Sequence, residues 1–134
     1  MADLHLLDTN IVSDLVRNPQ GKVAARIADV GEAQIAVSIV TAAELRYGCL
    51  KRGSPRITQQ VELILGAVPI LPFDEPSDAA YARIRRDLEQ AGTPIGPNDL
   101  LIAAHCLALG AVMVTANVRE FSRVKGLMVE NWLD

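Results

Sequence analysis

Three acidic residues lie where elements of regular structure are predicted to begin or end. Asp8 directly follows the apolar run Leu4–Leu7, which resembles a buried strand, and Glu44 and Asp99 each begin an apolar stretch of helical length. Open α/β sheets bind ligands outside the carboxyl ends of their strands, so these acids can share one site. With only two histidines and two cysteines available for zinc, the pattern favours an oxygen-ligand site for Mg²⁺ or Mn²⁺.

Such a site is suited to hydrolysis of phosphodiester bonds. A bare cluster of carboxylates repels a phosphate, whereas a divalent cation acidifies and orients the attacking water and stabilises charge on the displaced oxygen. Mg²⁺ keeps several waters and takes only one or two protein carboxylates directly. We therefore expect one ion on Asp8 and Asp99, with Glu44 acting partly through water and a second ion arriving with RNA. The residues indicate a small metal-dependent nuclease.

Structural roles compete with this interpretation for most of the acids. Thr41 and Glu44 have the spacing of a capping box, in which two side chains satisfy backbone donors at a helix start, and Asn117 and Glu120 repeat it. Asp99 is predicted in a first helical turn, where its charge complements the helix dipole.

Asp8 is the acid for which a structural role is least needed. Thr9 and Asn10 follow it, and either can cap the next helix. We therefore expect the Asp8 carboxylate to serve function.

Composition limits the class of protein. With 134 residues, 50% of them hydrophobic and only 4% aromatic, the chain is predicted to form a single domain, residues 1–134, with an aliphatic core. Cys49 and Cys106 are too few and too scattered for a disulfide framework, so we expect both to be reduced and semi-buried. The acidic N-terminus predicts no signal peptide, and no apolar run is long enough to span a membrane. We expect a soluble cytoplasmic protein.

The basic residues are grouped although the net charge is −3. The net charge argues against unassisted, nonspecific nucleic-acid binding. Ten of the thirteen basic residues are arginines, whose planar fork fits phosphate oxygens. Arg46, Arg119 and Arg123 are close in sequence to the candidate acids, so we consider them possible RNA-binding residues, although most such groups are simply solvated helix faces.

Short apolar segments alternate with amphipathic ones along the whole chain. This alternation predicts an α/β fold with a parallel sheet covered on both faces. The predicted strands are Leu4–Leu7, Gln34–Val37, Ile70–Leu71, Val112–Thr115 and Leu127–Val129. The predicted helices are Asn10–Val16, Val23–Val30, Ala42–Leu50, Ile57–Val68, Ser77–Gln90, Leu100–Leu109 and Val118–Ser122.

Four segments, in order, resemble the PIN-domain family and, within it, the VapC toxins of bacterial toxin–antitoxin pairs. They are Leu6–Asn10, Val37–Gly48, Pro94–His105 and Val114–Phe121, and the resemblance extends from Leu4 to Trp132. It implies a three-layer α/β/α sandwich with a central parallel sheet. It also implies an Mg²⁺- or Mn²⁺-dependent endoribonuclease, neutralised by a cognate VapB-type antitoxin, whose substrate is a structured RNA such as a tRNA.

The resemblance also assigns the site residues. The acids of the family motif fall on Asp8, Glu44 and Asp99, and the fourth position, often aspartate in PIN domains, falls on Asn117. Glu120, one helical turn further on, is a candidate for the missing charge. Two further candidates to support the acids or bind water are Thr115 and Asn10.

Partner surfaces are predicted on two apolar helices. Ile57–Val68 and Ala42–Leu50, the latter with Tyr47, carry more apolar surface than one sheet face readily covers, although core packing is an alternative. A groove for an antitoxin helix and a homodimer contact are both consistent with this surface. The resemblance favours both, with a heterotetramer or larger assembly and operator DNA bound only through the antitoxin. A basic antitoxin side chain that reaches Asp8 and Asp99 is our hypothesis for inhibition.

Three other functions remain open. The chain could act mainly in a DNA-binding repressor complex with its antitoxin, with weak or no nuclease activity. A haloacid-type phosphatase would use Asp8 as nucleophile, but it predicts an acid two residues later, where Asn10 stands. A metal-free ribonuclease would need His5 and His105 to act as acid and base.

Overall fold

The computed structural model describes residues 3–134 and contains one five-stranded sheet. Its strands are β1 (His5–Leu7), β2 (Ile35–Ser38), β3 (Ile70–Leu71), β4 (Val112–Val114) and β5 (Met128–Glu130). They lie in the order β3-β2-β1-β4-β5, and every neighbouring pair is parallel. The carboxyl ends of all the strands therefore face the same edge of the sheet.

Helices follow the strands and cover both faces of the sheet. They are α1 (Thr9–Arg17), α2 (Lys22–Val30), α3 (Ile39–Arg52), α4 (Pro55–Ala67), α5 (Ser77–Gln90), α6 (Pro97–Leu109) and α7 (Val118–Phe121). A short 3₁₀ turn, Glu32–Gln34, precedes β2. All seven predicted helices and all five predicted strands are present, with ends that differ by a few residues.

The core has two layers, one on each face of the sheet, because successive side chains of a strand point to alternate faces. Leu6 and Met113 pack with buried residues of α5, α6 and α7, whereas Leu7 and Val114 pack with buried residues of α1 to α4. Successive strand side chains point to opposite faces, so both faces need apolar residues. The predicted three-layer α/β/α sandwich is confirmed.

The start of α3 differs from the prediction. The helix begins at Ile39 because the Ser38 hydroxyl caps it, accepting a hydrogen bond from the backbone N of Val40 at 3.1 Å. Thr41 is already inside the helix, and its buried hydroxyl has no hydrogen-bond partner. The capping box predicted for Thr41 and Glu44 is therefore wrong, which leaves Glu44 free for other contacts.

Two simpler predictions concern the cysteines and membrane spans. Cys49 and Cys106 are both unpaired, as predicted, and both are buried rather than semi-buried. Burial raises the pKa of the Cys106 thiol to about 12. Within residues 3–134, no helix combines the length and the apolar character needed to cross a membrane.

Candidate active site

The predicted acids meet at the carboxyl edge of the sheet. Asp8 follows β1, Glu44 lies on α3 after β2, Asp99 lies in the first turn of α6, and Asn117 follows β4. All four line one pocket of about 420 Å³, which we call the acid pocket. Parallel strands place the residues after them along one rim, and for this reason segments far apart in sequence converge here.

Asp8 is the most deeply buried acid of the pocket, with 3% of its surface exposed. Its Oδ2 accepts hydrogen bonds from Thr115 Oγ1 at 2.8 Å and Asn10 Nδ2 at 3.3 Å, and its Oδ1 accepts one from the backbone N of Thr9 at 2.8 Å. Burial raises the pKa of the Asp8 carboxyl, and the bonds from Thr115 and Thr9 offset part of the rise. Thr115 and Asn10 thus contact Asp8 directly, in the positions from which they were predicted to support it.

Asp8 also caps α1, which corrects the sequence argument. The residue before α1 is Asp8 itself, and its carboxylate accepts the hydrogen bond from the helix start. Thr9 and Asn10 do not take that role, because their side chains contact Glu44 and the backbone of Ala116 instead. Asp8 therefore has a structural role in addition to its place in the acid pocket.

Glu44 is held by two uncharged donors. Thr9 Oγ1 donates to Glu44 Oε1 at 2.6 Å, and Asn98 Nδ2 donates to Glu44 Oε2 at 3.0 Å. Thr9 lies beside Asp8 and Asn98 lies beside Asp99 in the sequence, so α1 and α6 both fix the Glu44 carboxylate. Asn98 is a pocket-supporting residue that sequence reasoning missed; its only signal was its position next to Asp99.

Asp99 has the most perturbed carboxyl group of the pocket. Burial raises its pKa to about 7, helped by the negative charges of Asp8, Glu120 and Glu44. Asn117 Nδ2 contacts Asp99 Oδ2 at 3.5 Å. Near neutral pH the pocket therefore carries more negative charge than its surroundings neutralise.

Glu120 stands beside Asp99 and binds the loop before α6. Its Oε1 accepts a hydrogen bond from the backbone N of Gly96 at 2.7 Å, and its Oε2 accepts one from Asn117 Nδ2. The pKa of Glu120 is lowered, chiefly by the Gly96 donor. Because the Asn117 side chain makes no cap bond to α7, the capping pair predicted for Asn117 and Glu120 is wrong. Glu120 remains ionised next to Asp99, where it was expected to supply charge.

None of the three predicted RNA-binding arginines, Arg46, Arg119 and Arg123, lines the acid pocket. The first of them, Arg46, pairs with an acid of the neighbouring helix. It makes two hydrogen bonds of 3.1 Å to Glu62 on α4. Arg119 is exposed, and Arg123 donates to the carbonyl of Pro94 at 3.0 Å. Instead, Arg17 and Ser13 line the pocket. Sequence reasoning missed both, although they follow Thr9 at intervals of four residues on one face of α1.

The two histidines do not form an acid–base pair. His5 packs beside Trp132, with ring centroids 5.4 Å apart, and His105 packs on Phe73 at 5.6 Å. Trp132 and Phe73 belong to the two different core layers, on opposite faces of the sheet. The alternative of a metal-free ribonuclease that uses both histidines has no geometric support.

The side chains of the acid pocket offer carboxylate oxygens, the ligands that a hard divalent cation prefers. In the described chain, residues 3–134, no three acidic, histidine or cysteine side chains are arranged so that they could hold one ion. Mg²⁺ does not need three, because it commonly takes one or two carboxylates and completes its shell with water. The high pKa of Asp99 indicates charge that a cation would neutralise. Asp8 and Asp99, with water, fit this ion.

Comparisons with known proteins agree with this geometry. A PIN domain family model matches residues 5–127. Ribonuclease VapC2 of Rickettsia felis is 36% identical over 131 residues, covering 96% of this chain and 98% of that protein. The tRNA(fMet)-specific endonuclease VapC of Shigella flexneri is 35% identical over 128 residues, covering 95% of this chain and 96% of that protein.

The fold is similar to that of solved VapBC complexes. In the crystal structure of Rickettsia felis VapBC2 bound to a DNA fragment from their promoter, one chain matches with a TM-score of 0.88 and 33% identity, covering 96% of this chain and 98% of that chain. Since sequence and fold both match over nearly the full length, the chain belongs to the PIN-domain family and, within it, to the VapC ribonucleases.

Proposed function

We propose that this chain is the toxin of a type II toxin–antitoxin pair and that it is a cytoplasmic, Mg²⁺- or Mn²⁺-dependent endoribonuclease specific for a structured RNA. The observation that carries the proposal is the acid pocket, where Asp8, Glu44 and Asp99 meet and the pKa of Asp99 rises to about 7. A cluster of this kind costs free energy unless a cation neutralises it, so it is retained for function rather than stability.

Each residue of the pocket has a distinct role in the proposed reaction. Asp8 and Asp99 would hold the ion, which acidifies water and stabilises the charge that develops on phosphate oxygens. Thr115 orients the Asp8 carboxylate from behind. Glu44, fixed by Thr9 and Asn98, is placed to orient the attacking water. Glu120 would supply the negative charge that Asn117 lacks.

A tRNA is the proposed substrate. The Shigella flexneri relative is named a tRNA(fMet)-specific endonuclease, and the chains match over nearly their whole lengths. An RNA of defined shape also agrees with the net charge of −3, because nonspecific attraction to polyanions is weak. Recognition of such an RNA depends on its shape and on loop contacts, so no short motif in the protein identifies the bases at the cleaved bond.

An antitoxin and a second copy of the chain are the proposed protein partners. Tyr47 and Leu50 on α3 and Leu63 on α4 are 65%, 83% and 68% exposed, although Val61 and Leu65 of the same helix pair are buried in the core. Exposed apolar residues at this density on one helix pair favour protein contact. We propose that a VapB-type antitoxin neutralises the enzyme by placing a basic side chain near Asp8 and Asp99, in a heterotetramer or larger assembly.

Cleavage of tRNA by the purified chain tests the enzymatic proposal. We expect cleavage with Mg²⁺ or Mn²⁺, none with excess EDTA, and a loss of at least about a hundredfold in Asp99→Asn because the ion loses a charged ligand. Asp29→Asn, which removes an exposed carboxylate on α2, is the matched control and keeps full activity. Cleavage that survives EDTA, or that survives in the Asp8→Asn/Asp99→Asn double variant, contradicts the assignment.

A repressor role is the second candidate, favoured by the DNA bound in the similar VapBC2 complex. In this case the chain would contact operator DNA only through its antitoxin. Expression in cells separates the two functions. Growth arrest that is relieved by Asp8→Asn supports catalysis, whereas arrest that persists in this variant supports a binding role.

A further inference from the structure

A second cavity, of about 600 Å³, lies where the end of α5 meets the segment after α7. Its charged lining consists of Arg83, Asp87, Arg123 and Lys125. We call it the basic cavity. None of these residues lines the acid pocket.

The charge of the basic cavity is not neutralised by its own residues. Asp87, its acid, already accepts two hydrogen bonds from Arg86, at 3.1 and 2.9 Å. Within residues 3–134, Arg83, Arg123 and Lys125 take part in no salt bridge, although the charge of Arg123 helps to lower the pKa of Glu120. Three cationic side chains around one concave surface, in a chain of net charge −3, are suited to bind an anion with several charged oxygens.

Two connections join the basic cavity to the acid pocket. The first is a chain of hydrogen bonds. Arg123 Nη1 of the cavity donates to the carbonyl of Pro94 at 3.0 Å. Two residues later, the backbone N of Gly96 donates to Glu120, which neighbours Asp99 in the acid pocket. The second connection is the backbone itself. Thr93 lines the cavity and is three residues from Gly96, so at most about 11 Å of chain separates them. A distance of about 11 Å is spanned by about three nucleotides of a stacked strand.

We propose that the basic cavity binds backbone phosphates of the RNA substrate, a few nucleotides to one side of the bond that is cut. The proposal rests on the ribonuclease function proposed above. A polyanion that approaches the acid pocket is repelled by its carboxylates, and cations only a few nucleotides away offset that repulsion. The forks of Arg83 and Arg123 contact the phosphate oxygens, and Lys125 adds a point charge. The contacts fix the position of the strand and carry no base specificity.

Binding of fluorescently labelled, unfractionated bacterial tRNA to the cleavage-inactive Asp99→Asn protein, with Mg²⁺ present, tests the proposal. Added to this background, Arg83→Gln/Lys125→Gln removes one arginine and one lysine from the cavity. Arg123 is left in place because it also holds the loop at Pro94. The control pair, Lys51→Gln/Arg56→Gln, removes the same charges from the ends of α3 and α4. All four side chains are exposed, and thermal melting by circular dichroism verifies the fold.

We expect the cavity pair to weaken tRNA binding about tenfold at low salt and to reduce the slope of log Kd against log salt by about 1.4, since two phosphate contacts are lost. The control pair should leave both quantities nearly unchanged. Equal losses in both pairs, or none in the cavity pair, overturn the inference. The inference is also overturned if the Arg83→Gln/Lys125→Gln protein binds tRNA normally but loses affinity for the cognate antitoxin. The proposed function fails independently, if the wild-type chain leaves tRNA uncut with Mg²⁺ or Mn²⁺.

Discussion

The neighbouring carboxyl groups of Asp99 and Glu120 have pKa values that are shifted in opposite directions. Burial and the charges of Asp8 and Glu120 raise its pKa to about 7, while the Gly96 donor lowers the pKa of Glu120. Of the two carboxyl groups, Asp99 is therefore the one that binds a proton, and it is about half protonated near pH 7. Because a proton and a divalent cation would compete for the same carboxylate, we expect acid to weaken the proposed metal binding.

The pKa of Asp99 predicts a pH-dependent loss of stability in the metal-free protein. The folded pKa of about 7 exceeds the ordinary value of 3.8, so the folded state binds this proton more tightly. The stability that proton binding by Asp99 contributes is fully present below about pH 4 and is lost as the pH rises toward 7. Asp99→Asn, which cannot ionise, should be more stable than wild type at about pH 8 and nearly equal at pH 4. Solvent screening of this half-buried group limits the difference to on the order of 1–2 kcal/mol.

Urea unfolding in EDTA at both pH values measures this difference. Asp29→Asn serves as the control, because its exposed carboxylate has no comparable environment. A gap between Asp99→Asn and wild type that does not change with pH would show that Asp99 is not strained by its neighbours.

At the level of elements, a buried contact adds to the Asn98–Glu44 hydrogen bond in joining the two helices that carry Glu44 and Asp99. The Ser38 hydroxyl caps α3, and His105 Nδ1 on α6 lies 2.8 Å from it. Burial lowers the pKa of His105, which favours the neutral imidazole at this contact. Both partners are buried, so the bond fixes α3 against α6 in a defined position.

We predict that Ser38→Ala lowers the free energy of unfolding by about 2–3 kcal/mol, because it removes a helix cap and leaves His105 without this buried partner. Ser54→Ala is the matched control. Ser54 caps α4 by accepting a bond from the backbone N of Ile57 and makes no described contact with another helix, so its loss should cost about 1 kcal/mol.

Chemical denaturation measures both costs, and tRNA cleavage assays measure the effect on the site. Ser38→Ala should reduce cleavage at temperatures where it is still folded, because Glu44 and Asp99 lose their fixed relation. Equal costs for the two serines, with cleavage unaffected, would mean that the cap alone matters.

The limits of the elements were predictable where the signal is local. Pro97 at the start of α6 and Gly110 after its end, with φ of 65°, are signals that sequence reasoning can use. The predicted start of α3, Ala42, is three residues too late. Thr41 and Glu44 have the spacing of a capping box. However, β2 ends at Ser38 and α3 follows directly, so Ser38 rather than Thr41 is the capping residue.

For the whole molecule, the proposed binding of a cation in the acid pocket predicts that stability depends on cations. An ion that binds only the folded state stabilises it by mass action, by about 1.4 kcal/mol at ten times its Kd. This corresponds to a Tm increase of about 5 °C for a domain of this size. We predict this increase in wild type on addition of Mg²⁺ or Mn²⁺.

The Asp8→Asn/Asp99→Asn double variant should show no such increase. Scanning fluorimetry, with NaCl at equal ionic strength to correct for general screening, measures Tm in both proteins. An identical increase in the double variant would place the ion elsewhere.

The sequence by itself determined the parallel α/β sandwich and the convergence of Asp8, Glu44 and Asp99. Hydrophobic periodicity encodes the elements, and the geometry of parallel strands carries residues after them to one rim. Only the tertiary structure decided which neighbours each side chain meets. The pairing of Arg46 with Glu62, the contact of Glu120 with Gly96 and the basic cavity join segments 16 or more residues apart in sequence. Such contacts depend on how helices pack, and local sequence patterns do not encode packing.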